Sequence, residues 1–338
     1  MPATIVVGGF YGDEGKGKIA AYLGLKDNYS IAVRVGSVNA GHTVVYEGHR
    51  WKLRLIPSAF VNSKTMLRLG VGSLIRLDVL WRELEETSVR GRLRIDYRAG
   101  VIEQKHREQE LGDEFLVKVV GTTGQGVGAA TAERVMRKLR LARDYSILRE
   151  YLSDTVEELL EAVERGEKVL LEGTQGFYLS LYHGEYPYVT SRDTTAAAVL
   201  SESGLGPRHV EDIVVVFKSY VTRVGGGPLP GELSEEEAVR RGWFEIATVT
   251  GRKRRAAPFN FELARRAVRV NTATQVAVTK LDVLFPEARG KKKWEELPRS
   301  AREWIERVED ELKVPVTLIG TGEDALDTVD RRREVLGP

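Results

Sequence analysis

Short apolar runs of strand length alternate with segments of helical spacing along the chain, and this alternation predicts an α/β protein. Thr4-Ile5-Val6-Val7 reads as a first strand and Ile19 to Leu23 as part of the helix that follows. Ser30 to Val35 has the character of a second buried strand, and Val44 to Leu55 alternates around Glu47-Gly48-His49 as a hairpin does. Helical spacing is found in Leu74 to Glu86, Val101 to Leu111, Thr155 to Arg165, Thr195 to Glu202, Asn260 to Val270 and Arg299 to Leu312. Thr131 to Arg143 is expected to continue this series as a basic helix. Further strands are expected at Lys168 to Glu172, Ile213 to Phe217, from Gln275 onward, and at Val314 to Ile319. With no repeat, low-complexity tract or clear linker, one domain spanning residues 1–338 is the simplest account, its large, mostly parallel central sheet flanked by helices.

The ends of the strands carry the chemistry. Gly8-Gly9-Phe10-Tyr11-Gly12-Asp13-Glu14-Gly15-Lys16-Gly17-Lys18 joins the first strand to the first helix, with five glycines in the ten positions 8–17. Such a loop turns backbone N–H groups inward, and the helix adds unpaired N–H groups and the positive end of its dipole, so a phosphate is the natural guest. The spacing departs from the usual P-loop pattern, because Ile19 follows Lys18 and no hydroxyl is ready for magnesium. An acid, Asp13, stands inside the loop instead; beside phosphates a carboxylate needs a metal or a chemical task. A plain glycine-rich turn with solvated charges is the bland alternative.

Gly36-Ser37-Val38-Asn39-Ala40-Gly41-His42-Thr43 ends the second strand, and in an open α/β sheet it would face the same crevice. A lone histidine such as His42 is more often a surface or structural residue, and only the neighbouring loop argues otherwise. Gly121-Thr122-Thr123-Gly124-Gln125-Gly126-Val127-Gly128, with the arginines after it, suggests a second anion site; a flexible loop before a solvated basic helix fits equally well. Gly173-Thr174-Gln175-Gly176 again follows a strand, and Arg223 to Gly231 is too rich in glycine and proline for regular structure, as working loops are. Thr279-Lys280-Leu281-Asp282 resembles the guanine-reading signature of GTP-binding proteins. Its aspartate would accept from N1–H and the exocyclic N–H of guanine, donors that adenine lacks on that edge.

Composition narrows the choice of chemistry. Lys plus Arg number 51 against 49 Asp plus Glu, so the basic run Arg252-Lys253-Arg254-Arg255 argues for a small polyanion and against nucleic acid. The absence of cysteine excludes disulfides, thiolate metal sites and a cysteine nucleophile, and the five histidines are scattered. Apolar runs are strand-sized and no signal segment is recognised, so no membrane span and a cytoplasmic location are expected. Charged residues make up 30% of the chain while Met is sparse, a balance that fits a heat-adapted protein.

Seven motifs in fixed order, Gly12-Asp-Glu-Gly-Lys-Gly-Lys18, Asn39-Ala-Gly-His-Thr43, Gly121-Thr-Thr-Gly124, Glu172-Gly-Thr-Gln-Gly176, Tyr186-Pro-Tyr-Val-Thr-Ser191, Thr250-Gly-Arg252 and Thr279-Lys-Leu-Asp282, closely resemble those of the adenylosuccinate synthetases. The resemblance implies a GTP-dependent ligase that joins IMP and L-aspartate through 6-phosphoryl-IMP, the step committing purine synthesis to AMP, with Mg2+ as cofactor and a homodimer as the working form. It implies Asp13 as the base, His42 as the acid stabilising the transferred group, Lys16 as fixed positive potential and Gln175 steadying the intermediate. Asp13 and the carbonyl of Gly41 would hold magnesium.

By the same match GTP would meet Gly12, Gly15, Lys16, Gly17, Lys18, Gly41, His42, Thr43, Arg254, Lys280, Leu281, Asp282, Gly320, Thr321 and Gly322. IMP would meet Asp13, Asn39, Ala40, Gly41, His42, Thr123, Gln175, Thr190 and Arg252, with Arg137 reaching its phosphate from the neighbouring subunit. Thr248, Val249, Thr250, Gly251, Arg252, Lys253 and Arg254 would clamp aspartate. The chain is shorter than the common forms, near Arg143 to Tyr151 and Phe285 to Pro298. It also carries Ala21, Gln125 and Gly231 where those forms have aspartate, a basic residue and threonine. A GTP-driven switch or metallochaperone-like NTPase is the alternative that the phosphate loop and Thr-Lys-x-Asp alone would allow.

Overall fold

The computed structural model describes residues 2–247 and 251–337. Among them, ten strands form one sheet: β1 (Ala3–Gly8), β2 (Tyr29–Arg34), β3 (Met66–Leu69), β4 (Leu93–Asp96), β5 (Leu152–Ser153), β6 (Lys168–Glu172), β7 (Val210–Lys218), β8 (Gln275–Thr279), β9 (Val316–Gly320) and β10 (Thr328–Asp330). They lie in the order β10-β9-β8-β7-β1-β6-β2-β3-β4-β5, and every pair is parallel except β9 with β10. Parallel strands require crossovers, and the crossovers put helices on both faces.

Strand periodicity divides the core in two. Val6, Ala32, Leu170, Val214, Val216 and Ala277 point to the face covered by α1 (Lys16–Lys26), α2 (Leu77–Thr87) and part of α4 (Val127–Val135), which follows α3 (Gln104–Gly112). Ile5, Val7, Val33, Leu171, Val215, Phe217 and Val278 point to the other face. That face is covered by α5 (Thr155–Glu164), α6 (Ala196–Ser203), α8 (Phe261–Val270) and α10 (Arg299–Leu312). Because both faces of the strands are buried, they read in sequence as continuous apolar runs.

Outside this sheet, His42–Tyr46 and His49–Leu53 pair as the expected hairpin. A small antiparallel sheet is built from Tyr220–Arg223, Lys253–Pro258 and Glu245–Ile246, beside α7 (Glu235–Arg240). The basic run thus enters a strand whose partner, Tyr220–Arg223, is distant in the chain, a pairing with no local signal. Three other expectations change. The basic helix is α4, which runs from Val127 and stops at Val135, with Arg137 at φ 63° beyond it; arginines on a turn mimicked helical continuation. Helix α2 starts only at Leu77, since Leu74–Ile75 pairs in a short strand with Gly100–Val101. Strands β3, β4, β5 and β10 have two to four residues each, and charges such as Arg68 and Arg94 hide the first two from an apolar-run criterion.

Candidate active site

A parallel sheet brings the carboxyl ends of its strands to one edge, so the loops after β1, β2, β6, β7, β8 and β9 are neighbours. Glu14, buried and passed over by the sequence reading, shapes the first of these loops. Its Oε1 accepts from the amides of Phe10 at 2.9 Å and Gly12 at 2.8 Å, and its Oε2 pairs with Lys16 Nζ at 2.7 Å. Glycine is required where this carboxylate is crossed: a Cβ on Gly176 would lie 2.4 Å from Glu14 Oε1 and 2.5 Å from Gly12 N. Gly12 and Gly15 hold φ of 103° and 85°, which L side chains resist. Thr279 Oγ1 donates to the Glu14 carbonyl at 2.6 Å and ties the loop to the end of β8.

Lys16 therefore carries its charge against an internal acid, while Lys18 points elsewhere. The Lys18 ammonium donates to the carbonyls of Asp324 and Asp327, the latter at 2.9 Å, and burial lowers its pKa to about 8. It straps α1 to the segment after β9.

His42 is buried on the hairpin with Nδ1 against Glu172 at the end of β6. The same carboxylate accepts from the Ser58 amide and hydroxyl, each at 2.6 Å, and pairs with Arg34 at 3.1 Å. Burial, followed by the charge of Arg34, lowers the His42 pKa to about 3, so the imidazole is neutral with its proton on Nδ1 facing Glu172. Its Nε2 is buried with no hydrogen-bond partner among the described residues. In sequence Glu172 stands out only as the strand-terminal acid that opens the motif Glu172-Gly-Thr-Gln-Gly176, with no role given to it; an acid closing an otherwise apolar strand before a glycine loop is the signal that could have marked it.

A cavity of about 340 Å³ opens beside this hub. Asp13, Asn39, Ala40, Gly41, Thr123, Gln175, Thr190, Arg252 and Arg254 all contribute to its wall, with Tyr11, Phe115, Leu116 and Tyr188 among the apolar surfaces. Asn39 Nδ2 reaches Thr190 Oγ1 at 3.4 Å, and Arg252 Nη1 donates to the carbonyl of Gly121 at 2.9 Å. Gln175 sits at φ 63° with its buried Oε1 unpaired among the described residues. Asp13 Oδ1 lies 2.8 Å from Arg254 Nη2, and Thr222 Oγ1 donates to Oδ2 at 3.4 Å. Burial pushes the Asp13 pKa up, with Arg254 and Lys218 pulling it back.

The residues expected at guanine stand apart from that cavity wall. Lys280 adopts φ 60° to start α9 (Leu281–Leu284), and Asp282 is buried with Oδ1 unpaired among the described residues and Oδ2 3.5 Å from Arg289. Gly320 ends β9, which pairs with β8, and Thr321 and Gly322 follow it; Thr43 lies on the hairpin. Within the basic run, period-two alternation turns Arg254 toward Asp13 and sends Lys253 outward to Glu235 at 2.6 Å. Thr248, Val249 and Thr250 lie outside the described residues. Arg137 is exposed and does not line the cavity. Gln125 accepts from Arg76 at 2.7 Å and Arg54 at 3.1 Å, so arginines from elsewhere converge where the loop itself has none.

The family model described as adenylosuccinate synthetase matches residues 5–144 and 139–289. The adenylosuccinate synthetase of Archaeoglobus fulgidus is 49% identical over 99% of this chain and 100% of its own length. That of Pyrococcus horikoshii is 48% identical over 98% and 99%. Among solved structures, the fully ligated adenylosuccinate synthetase of Plasmodium falciparum superposes with a TM-score of 0.90 at 25% identity, covering 98% of this chain and 100% of that one. The cyanophage S-2L succinoaminodeoxyadenylate synthetase, bound to dGMP and to dATP as an energy donor, superposes at 0.82 and 25%, covering 97% and 95%. Two archaeal relatives share the compact length almost end to end, and the motif-bearing loops after β1, β2, β6 and β8 meet at one sheet edge; the chain belongs to the adenylosuccinate synthetase family.

Proposed function

We propose that the chain joins IMP and L-aspartate into adenylosuccinate at the expense of GTP, releasing GDP and phosphate through a 6-phosphoryl-IMP intermediate. One observation supports the site assignment above all: Asp13, Asn39, Thr123, Gln175, Thr190 and Arg252, scattered along the chain, share the wall of one cavity of about 340 Å³. That volume lies within the ordinary range for a small-ligand pocket. The one sheet running from Ala3 to Asp330 supports reading residues 1–338 as a single domain.

In this reading Asp13 takes the N1 proton of IMP and O6 attacks the γ-phosphoryl group; aspartate then displaces phosphate from C6. Burial raises the Asp13 pKa, and the Arg254 guanidinium 2.8 Å from Oδ1 pulls it back toward the carboxylate form that can accept a proton. His42 holds Nδ1–H toward Glu172 and presents Nε2 to the arriving phosphoryl group, whose charge would draw a second proton onto the ring. Gln175 steadies the transferred group, and Lys16, on exchanging Glu14 for the phosphates, supplies positive potential together with the loop amides that Glu14 leaves free. Arg252 and Arg254 take the carboxylates of aspartate with Thr248 to Gly251, and Lys253 contributes from the outer side of that loop.

Asp13 and Gly41 both line the cavity, and few hard oxygen donors beside a phosphate site suit magnesium, which prefers to keep substrate phosphates and water as its other ligands. Mg2+ held there would neutralise charge on the phosphates during transfer. The S-2L relative binds dATP as its donor, so the choice of guanine in this chain falls to Asp282, whose unpaired Oδ1 would be left unsatisfied by adenine. Arg137 belongs in this reading to the IMP phosphate of the second protomer of a homodimer. Purine nucleotide substrates imply the cytoplasm, and no helix among the described residues is long and apolar enough to cross a membrane.

A spectrophotometric assay omitting GTP, IMP and aspartate in turn tests this function. Phosphate release and the purine absorbance change should both require all three, and Asp13→Asn should retain GTP binding while losing turnover. Phosphate release from GTP alone, at the same rate with and without IMP, would identify an NTPase switch instead.

A further inference from the structure

Glu245, on the short strand Glu245–Ile246, lies directly opposite Arg254 in the antiparallel pair and accepts from its Nη1. Its two oxygens are each 3.1 Å from Lys218 Nζ, and it also accepts from Tyr220 Oη. Nη2 of the same Arg254 lies 2.8 Å from Asp13 Oδ1. Lys218, Glu245, Arg254 and Asp13 thus form a line of alternating charge, with side-chain exposures of only 3–16%.

A second strut runs beside it. Lys218 Nζ donates to Thr222 Oγ1 at 2.8 Å. An ammonium can only donate, so the Thr222 hydroxyl hydrogen is free to point at Asp13 Oδ2, 3.4 Å away. Behind the line, Tyr220 stacks on Trp243 with ring centroids 4.9 Å apart, which fixes the hydroxyl that holds Glu245.

Stability alone does not ask for this arrangement, because a buried ion network can often be replaced by apolar packing at no loss. What the network does achieve is orientation. A guanidinium gripped by carboxylates on two different elements cannot rotate, and Arg254 also lines the cavity, so it is held there in a fixed orientation.

We infer that Glu245 is a positioning residue: with Lys218 and Tyr220 behind it, it holds Arg254 in the one orientation that serves both Asp13 and the incoming amino-acid carboxylate. This rests on the proposed ligase reading. Misplacing a charged group by about 1 Å can cost on the order of 100-fold in rate, so the anchor matters as much as the arginine.

The test compares wild type with Glu245→Gln, with Glu245→Gln/Lys218→Met and with Tyr220→Phe, under saturating GTP. Wild type that makes no adenylosuccinate would defeat the ligase reading itself, whatever the variants do. Given wild-type turnover, Glu245→Gln should lower kcat by about 10- to 100-fold and raise KM for aspartate while leaving KM for IMP within about threefold. The double variant, with both charges gone, should regain the wild-type melting temperature without regaining kcat. Tyr220→Phe should move kcat and the aspartate KM in the same direction more weakly. Recovery of kcat in the double variant, or a Glu245→Gln enzyme with unchanged kcat/KM for aspartate, would overturn the inference; if Glu245→Gln alone fails to fold, the double variant and Tyr220→Phe decide.

Discussion

Glu172 illustrates how much one buried side chain can organise: it gathers Arg34, His42 and Ser58 around a single carboxylate. Glu172→Ala would leave Arg34 buried without its counter-charge, and we expect it to cost about 3–5 kcal/mol in chemical denaturation. Glu172→Gln should be milder in stability yet still depress turnover, because a neutral amide that can also offer N–H no longer fixes the proton on His42 Nδ1. Lys18 offers a pH test. Burial lowers its pKa from 10.5 to about 8, so between those values the unfolded chain binds a proton that the folded chain has released. Its contribution is a constant penalty below pH 8, and stability rises with pH through that window. The difference in unfolding free energy between wild type and Lys18→Met should therefore grow as pH increases, by at most about 1.4 kcal/mol per unit. A flat difference in denaturant melts across the window would refute it. At this scale the sequence pointed to Asp13 because an acid in a glycine-rich loop expected to take phosphate calls for a reason. Glu14 and Glu172 escaped because inward-turned carboxylates look in sequence like solvated ones.

Elements meet where their loops have no side chains to spare. The β1 and β6 loops cross at Gly176, so Gly176→Ala must push Glu14 or the Gly12 amide aside. We expect a loss of about 1–3 kcal/mol in stability and a larger proportional loss of turnover, measured by melting and by the same assay. Long buried strands and amphipathic helices such as α8 and α10 were legible because burial on one or both faces imposes a pattern on them. The short strands β3 and β4 and the small sheet around Arg254 were not. Their pairing is long-range, and their residues answer to a distant neighbour rather than to a local period.

The molecule as a whole combines a balanced charge with a sheet buried on both faces. The charge-rich, methionine-poor composition of the chain predicts a thermal midpoint above the mesophilic range of about 45–65 °C, which calorimetry would check. If the proposed homodimer forms and the Arg137 guanidinium reaches the partner's phosphate, Arg137→Ala should weaken IMP binding by about tenfold or more, and an unchanged affinity would reject that role. Sequence alone determined the α/β class, the glycine-rich loop after β1 and the order of the motifs, since apolar periodicity and glycine spacing are properties of the local chain. The tertiary structure decided which charges face one another. It paired Lys16 with Glu14, gave His42 to Glu172 and separated Arg254 from Lys253 across a strand. Burial and cross-strand register, which set those partners, arise only when segments far apart in the chain are packed together.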